Sequence, residues 1–168
     1  MTVRISLYDP TLTYPGQKRF DCGNEAVNKF ARDSLKAQVR KSLSAAYVLT
    51  DAAQAGRFVG FLTIAQHSID MSLLSPLRLG SLPKHIPCSR VIMLGVDKDY
   101  QKRNLGVQLM KEAFRVSKTA AKAIGSYGIF LLAEPGAIGF YQKLGFTLLQ
   151  GDLTPAASPM FLPMSGIP

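Results

Sequence analysis

The run Val91-Ile92-Met93-Leu94-Gly95-Val96-Asp97-Lys98-Asp99-Tyr100-Gln101-Lys102-Arg103-Asn104-Leu105-Gly106-Val107 decides how the rest of the chain is read. Its first six residues are apolar, as in a central strand buried on both faces. Residues 97–104 are polar and basic, the composition of a turn. Over residues 104–124, Leu109, Ala113, Val116, Ala120 and Ile124 recur at helical spacing, with Met110 and Phe114 beside them and Gly125 as a stop. A strand therefore passes through a tight basic turn into a long amphipathic helix. The first amides of such a helix have no internal acceptor and carry the positive end of its dipole, so the turn suits a phosphate or pyrophosphate. Asn104 and Gly106 tolerate φ > 0 and let amides converge on an anion, while Lys102 and Arg103 add charge.

Upstream, residues 3–8 alternate as a strand. Residues 24–40 read as a helix with Val27, Ala31, Leu35 and Val39 inward, Phe30 beside them, and Asp21 or Asn24 as cap. Residues 45–50 and 57–65 read as two strands joined by a hairpin-like loop. Residues 70–90 hold Pro76, Gly80, Pro83 and Pro87, so regular structure there is short, a helical turn or two within 71–79. Downstream, residues 127–133 form an apolar strand and 137–144 a short helix closed by Gly145. Residues 146–149 pair with 160–162. The order β, α, ββ, irregular, β, α, β, α, ββ is that of a mixed α/β (α+β-like) domain with helices on one sheet.

The 168 residues are 47% hydrophobic and 18% charged, which fits one domain over 1–168 and excludes a disordered, coiled-coil or collagen-like chain. The longest apolar run is far short of the ~18–20 residues of a membrane span, and the opening segment lacks a signal peptide's apolar stretch. Cys22 and Cys88 lie far apart, and His67 and His85 are not at ligand spacing, so no metal site is read. Two lone cysteines and no export signal point to a cytoplasmic protein, with the thiols as small apolar fillers. A formal charge of +9 attracts polyanions. It is concentrated in two stripes: Lys29, Arg32, Lys36 and Arg40 on the first helix, and Lys111, Arg115, Lys118 and Lys122 on the long one.

A second segment, Phe140-Tyr141-Gln142-Lys143-Leu144-Gly145-Phe146, places Tyr141 on the last turn of the short helix. With the strand-turn-helix it resembles the GNAT (Gcn5-related N-acetyltransferase) superfamily. Gln101, Asn104 and Gly106 stand in that family's Gln/Arg-x-x-Gly-x-Gly/Ala turn, and Phe140, Tyr141, Gly145 and Phe146 match its Phe/Leu-Tyr-x-x-x-Gly-Phe signature. Arg19-Phe20-Asp21-Cys22-Gly23-Asn24, continuing to Asn28-Lys29-Phe30, is similar to the opening of the tRNA-acetylating GNAT toxins of bacterial type II toxin–antitoxin modules. Asn104 replaces the usual turn glycine, Glu134 a common asparagine, and Met93 an arginine usual in the toxins.

The resemblance implies a GNAT fold, a central, mostly antiparallel mixed sheet flanked by helices. It implies acetyl-CoA as co-substrate and no metal. The amides of Leu94 and Val96 would hold the acetyl carbonyl and pantetheine arm. Gln101, Lys102, Arg103, Asn104, Leu105, Gly106 and Val107 would hold the pyrophosphate, and Tyr141 would protonate the departing thiolate. The acceptor would be the α-amino group of an aminoacyl-tRNA, gripped by Lys29, Arg32, Lys36 and Arg40, so that translation is blocked. A small ribbon-helix-helix antitoxin and a homodimer are the implied partners, with residues 71–82 as a candidate dimer face. Two other readings stay open: a GNAT enzyme acting on a small amine or a protein N-terminus, and a catalytically inactive CoA- or RNA-binding module.

Overall fold

In the computed structural model, which describes residues 2–150 and 156–168, the strands are β1 (Val3–Leu7), β2 (Ala45–Asp51), β3 (Arg57–Asp70), β4 (His85–Val96), β5 (Gly128–Ala133), β6 (Thr147–Leu148) and β7 (Ser158–Pro163). The helices are α1 (Glu25–Lys29), α2 (Leu35–Arg40), α3 (Leu105–Ile124) and α4 (Ile138–Lys143). The element order is the expected one. The seven strands form one sheet in the order β1-β2-β3-β4-β5-β7-β6. β4 and β5 are parallel, which requires the crossover that α3 supplies. The registers of β1 with β2, β2 with β3, β5 with β7 and β6 with β7 are antiparallel. The chain divides into two compact units, Met1–Ala65 with Ile92–Ala113, and Gln66–Val91 with Phe114–Pro168.

The core of the first unit is aromatic: Tyr8, Phe20, Phe58 and Phe61 are buried with Ala31, Leu35, Ala46 and Val48. Phe20 meets Phe58 and Phe61 edge-on, at 5.4 and 5.6 Å between ring centres. The first helix is not the single α-helix expected over 24–40. Asn24 caps it, its side chain accepting from the Val27 amide, but Phe30–Ser34 form a π turn in which the Leu35 N–H donates to the Phe30 carbonyl. The cause is visible in the spacing. An inward residue every four positions drifts by about 40° per step on an α-helix, or about 120° from Val27 to Val39. One extra residue in a wider turn takes up about 100° of that drift. The altered turn presents two carbonyls to the neighbouring 17–19 segment. Gln17 Nε2 donates to Ala31 O and Lys18 Nζ to Arg32 O, both at 3.0 Å. Gln17 is itself held by the Tyr8 hydroxyl at 3.1 Å.

The second unit buries Ile69, Leu74, Ile86, Cys88, Phe130, Leu149 and Phe161. Two strands are longer than expected here. β3 runs on to Asp70 because Gln66 and Ser68 point outward while Ile69 points inward, a one-faced pattern that polar residues disguise. β4 starts at His85, with Ile86 and Cys88 inward and Pro87 outward. Pro87 lacks an N–H but its carbonyl accepts from Tyr127 at 2.8 Å. The turn at Met71–Leu77 is the expected short helix, capped by Asp70 on the Ser72 amide. Leu74 is buried, and Leu73, Leu77, Leu79 and Leu82 are half-buried against this unit's own core. On α3, Leu105, Leu109, Met110, Ala113, Phe114 and Ser117 are buried. Ile124 is 62% exposed, so the inward stripe ends earlier than the spacing suggests.

Candidate acetyl-transfer site

Backbone N–H groups along a strand point alternately to its two sides. In β4 the Met93 amide donates to Thr63 Oγ1 at 3.0 Å and the Asp97 amide to Val59 O at 2.8 Å. Leu94 and Val96 therefore direct their amides away from β3. Among the described residues, the register with β5 takes in Ser89 and Arg90 only. The strand end thus carries two amides with the directionality a thioester carbonyl and an amide-bearing arm require.

The turn after it is built on buried polar contacts. Asp97, 4% exposed, accepts from the Asp99 amide at 3.1 Å and the Asp21 amide at 3.2 Å. Arg57 pairs with Asp97 at 3.4 Å and Asp99 at 3.0 Å. The Tyr100 hydroxyl donates to buried Asp51 at 2.6 Å. The guanidinium carbons of Arg57 and Arg103 lie 5.3 and 5.7 Å from the Tyr100 ring centre. Lys102 and Asn104 are left-handed, at φ 63° and 59°. Such alternation turns successive amides toward one side, an anion-binding nest. The first α3 bond joins the Gln108 amide to Asn104 O at 3.1 Å, so the amides of Leu105, Gly106 and Val107 precede it. Asn104 thus adopts the left-handed conformation that a glycine takes without steric cost. Asn104→Gly is expected to keep or improve acetyl-CoA affinity in calorimetry, and a loss of about tenfold would show instead that the amide side chain is needed.

Gln101 behaves differently from its neighbours. Its Nε2 donates to both Cys22 O and Val96 O at 2.8 Å, so it ties the strand end to the segment before α1. The same segment is held by Lys98, whose amide donates to Asp21 O at 2.8 Å and whose ammonium meets Asp21 Oδ2 at 2.9 Å. That ammonium and the Gly23 amide hold the Asp21 carboxyl down at about 2. Asn28, 2% exposed, accepts from the Cys22 amide at 2.7 Å and donates to Asp21 at 2.9 Å. Gly95 lies beneath: a Cβ there would meet Val27 at 2.9 Å and Cys22 at 3.2 Å. The Phe-Asp-Cys-Gly-Asn motif is therefore a brace for the end of β4 and the turn after it. Reading the sequence for reactive groups missed Asp97, Asn28 and Lys98, whose signal was three polar residues at the edge of two apolar elements.

In the second unit, Tyr141 stands at the end of α4 and is 8% exposed. Phe140 and Phe146 meet its ring edge-on at 5.0 and 5.7 Å. Its carbonyl accepts from Leu144 and Phe146, which closes the helix. Its hydroxyl has no hydrogen-bond partner among the described residues. Burial alone pushes its pKa up to about 12, so the phenol is protonated at neutral pH, the form a proton donor needs.

Of the basic stripe on the first helix, the structure brings Arg32, Lys36 and Arg40 to one pocket. Lys29, which precedes the π turn, does not line it. Arg32 is partly occupied: its Nε donates to Phe20 O at 2.8 Å and a guanidinium nitrogen lies 3.9 Å from Glu25. On α3, Lys118 donates to the carbonyl of Pro168. Among the described residues no cluster of His, Cys, Asp and Glu could hold a metal ion. No helix among them is long and apolar enough to cross a membrane. Cys88 is buried and its thiol pushed up to about 12, as befits an apolar filler. His67 stacks on Phe130 at 5.3 Å.

Residues 43–148, well over half of the chain, match the acetyltransferase (GNAT) domain family, and the chain belongs to it. It is an acetyltransferase of this fold. A structure described as a bacterial toxin is 40% identical and superposes with a TM-score of 0.93 over 98% of this chain and 92% of that one. AtaT complexed with acetyl-methionyl-tRNAfMet is 27% identical over 98% of this chain and 96% of that one, with a TM-score of 0.84. A tyrosine-to-phenylalanine mutant of AtaT, bound to the C-terminus of the antitoxin AtaR and to acetyl-CoA, is 27% identical over 99% and 96% of the two chains, with a TM-score of 0.82.

Proposed function

We propose that this chain, as one GNAT domain over 1–168, is a cytoplasmic toxin that transfers an acetyl group from acetyl-CoA to the α-amino group of an aminoacyl-tRNA. The observation that carries this reading is likeness along nearly the whole chain to toxins, one of them holding acetylated aminoacyl-tRNA. The residues fit the donor: two directed strand amides, a left-handed basic turn and a helix start. Lys102, Arg103 and the turn amides through Val107 hold the pyrophosphate, while Gln101 positions the strand. The amine attacks the thioester carbonyl, and the Leu94 or Val96 amide stabilises the oxygen that becomes negative. The C–S bond then breaks, and Tyr141 gives its proton to the CoA thiolate. The α-amine, near pKa 7.7–8.0 or lower once esterified, sheds its own proton to water. Lys29, Arg32, Lys36 and Arg40 hold the RNA backbone. A small ribbon-helix-helix antitoxin and a homodimer complete the proposal.

The test is mass spectrometry of aminoacylated tRNA after incubation with acetyl-CoA and purified protein. Acetylated aminoacyl-adenosine at the 3′ end is expected. Acetylation of small amines with tRNA untouched would overturn the reading. Lys36 and Arg40 are the cleaner pair to change, because Arg32 also supports its own helix. The double Ala variant should lower the slope of log affinity for tRNA against log salt by about 1.4–1.8, two contacts' worth. Acetyl-CoA affinity should hold, since these residues lie away from the turn in sequence and contacts. An unchanged slope would leave this stripe a solvated face.

A further inference from the structure

We infer that the pocket beside α2 holds one unstacked nucleotide of a single-stranded RNA segment, an inference that rests on the RNA reading above. The pocket is about 360 Å³, the lower end of the range for small-ligand sites. One wall is Tyr14, which has little freedom to move. Its ring stacks on Tyr8 at 4.8 Å, meets Phe58 edge-on at 6.2 Å, and its hydroxyl accepts from the Asp9 amide at 2.9 Å. Ala37, the smallest side chain on this side of α2, also lines the pocket. The rim is cationic: among the described residues no carboxylate lies within ion-pair distance of Lys36, Arg40 or Lys41, and Asp33 is the one acid in the lining. Cations on an open surface suffice for a duplex backbone, whose bases stay stacked inside. A recess lined by a rigid aromatic ring, a small alanine and several cations matches instead a splayed base with its phosphate.

The test compares a short single-stranded RNA oligonucleotide with an RNA hairpin duplex of equal phosphate number, by fluorescence anisotropy. Wild type is expected to bind the single strand more tightly than the hairpin. Ala37→Leu fills the recess with no change of charge, at an exposed helical position that leucine suits. It should weaken the single strand by about tenfold, the worth of one stacked base. Hairpin affinity, its salt slope and acetyl-CoA affinity should stay as they are. An unaltered single-strand affinity, or equal weakening of both RNAs, overturns the pocket while leaving the RNA reading in place. Wild type that binds neither RNA overturns both. Displacement of the oligonucleotide by poly-glutamate of equal charge also overturns the inference, since the recess would then accept any acidic chain.

Discussion

Tyr141→Phe leaves acetyl-CoA bound and lowers turnover by about 10²–10⁴-fold, the usual scale of general acid–base help. The change removes one oxygen and keeps the ring that Phe140 and Phe146 enclose, so the fold has no reason to respond. The hydroxyl has no partner among the described residues, so no structural hydrogen bond is lost with it. Its pKa of about 12, raised by burial, gives the effect a second signature. A phenol with that value stays protonated throughout the neutral and mildly alkaline range. The ratio of wild-type to variant rate is therefore flat from about pH 6 to pH 10, while both share the rise as the acceptor amine deprotonates. Steady-state rates across that range, with calorimetric titration of acetyl-CoA, check both parts. Equal turnover in the two proteins would make Tyr141 a packing residue and require another donor.

The largest structural effect is expected at Gly128, where β5 begins. A Cβ there would lie against the Leu162 carbonyl and 2.7 Å from the Phe161 ring. Phe161 is fully buried and Leu162 belongs to β7, whose register with β5 is continuous from Gly128 to Ala133. Neither neighbour has room to yield, so Gly128→Ala should cost about 3 kcal/mol. A thermal midpoint lower by about 6–12 °C follows. Gly139→Ala is the control: it lies in α4, and a Cβ there meets nothing within 4 Å. Its midpoint should hold or rise slightly, since alanine loses less chain entropy on folding. Equal loss in both variants would mean that any added methyl weakens this half of the chain.

The apolar β4 run, the long α3 and the final strand pair were legible because each is long or flanked by turn residues. The second half of β3 was not, because Gln66, His67 and Ser68 look like the start of a loop. Their alternation becomes readable only when Ile69 is seen to be buried. The start of β4 was hidden by Pro87, which as an outward residue with a bonded carbonyl does not break the strand. For the site, the turn and Tyr141 were legible as motifs. The brace through Asp97, Gln101, Asn28 and Lys98 was not, since it joins positions 76 and 79 residues apart by side-chain-to-backbone bonds. The π turn left a trace, four inward residues at a constant spacing of four, that a helix of ordinary pitch cannot keep in line.

That turn also makes this part of the chain sensitive to length rather than to composition. Removing one residue from Phe30–Ser34 would let an uninterrupted α-helix form, with better local hydrogen bonding. Everything after the cut would turn by about 100° relative to Glu25–Lys29. Leu35, now fully buried, would leave the aromatic core, and Arg40 would swing off its recess. Substitutions across this segment can be absorbed one at a time, but a deletion cannot. Homologous chains that share the basic recess should therefore keep the residue count between Asn24 and Lys41 even where they share few of the side chains.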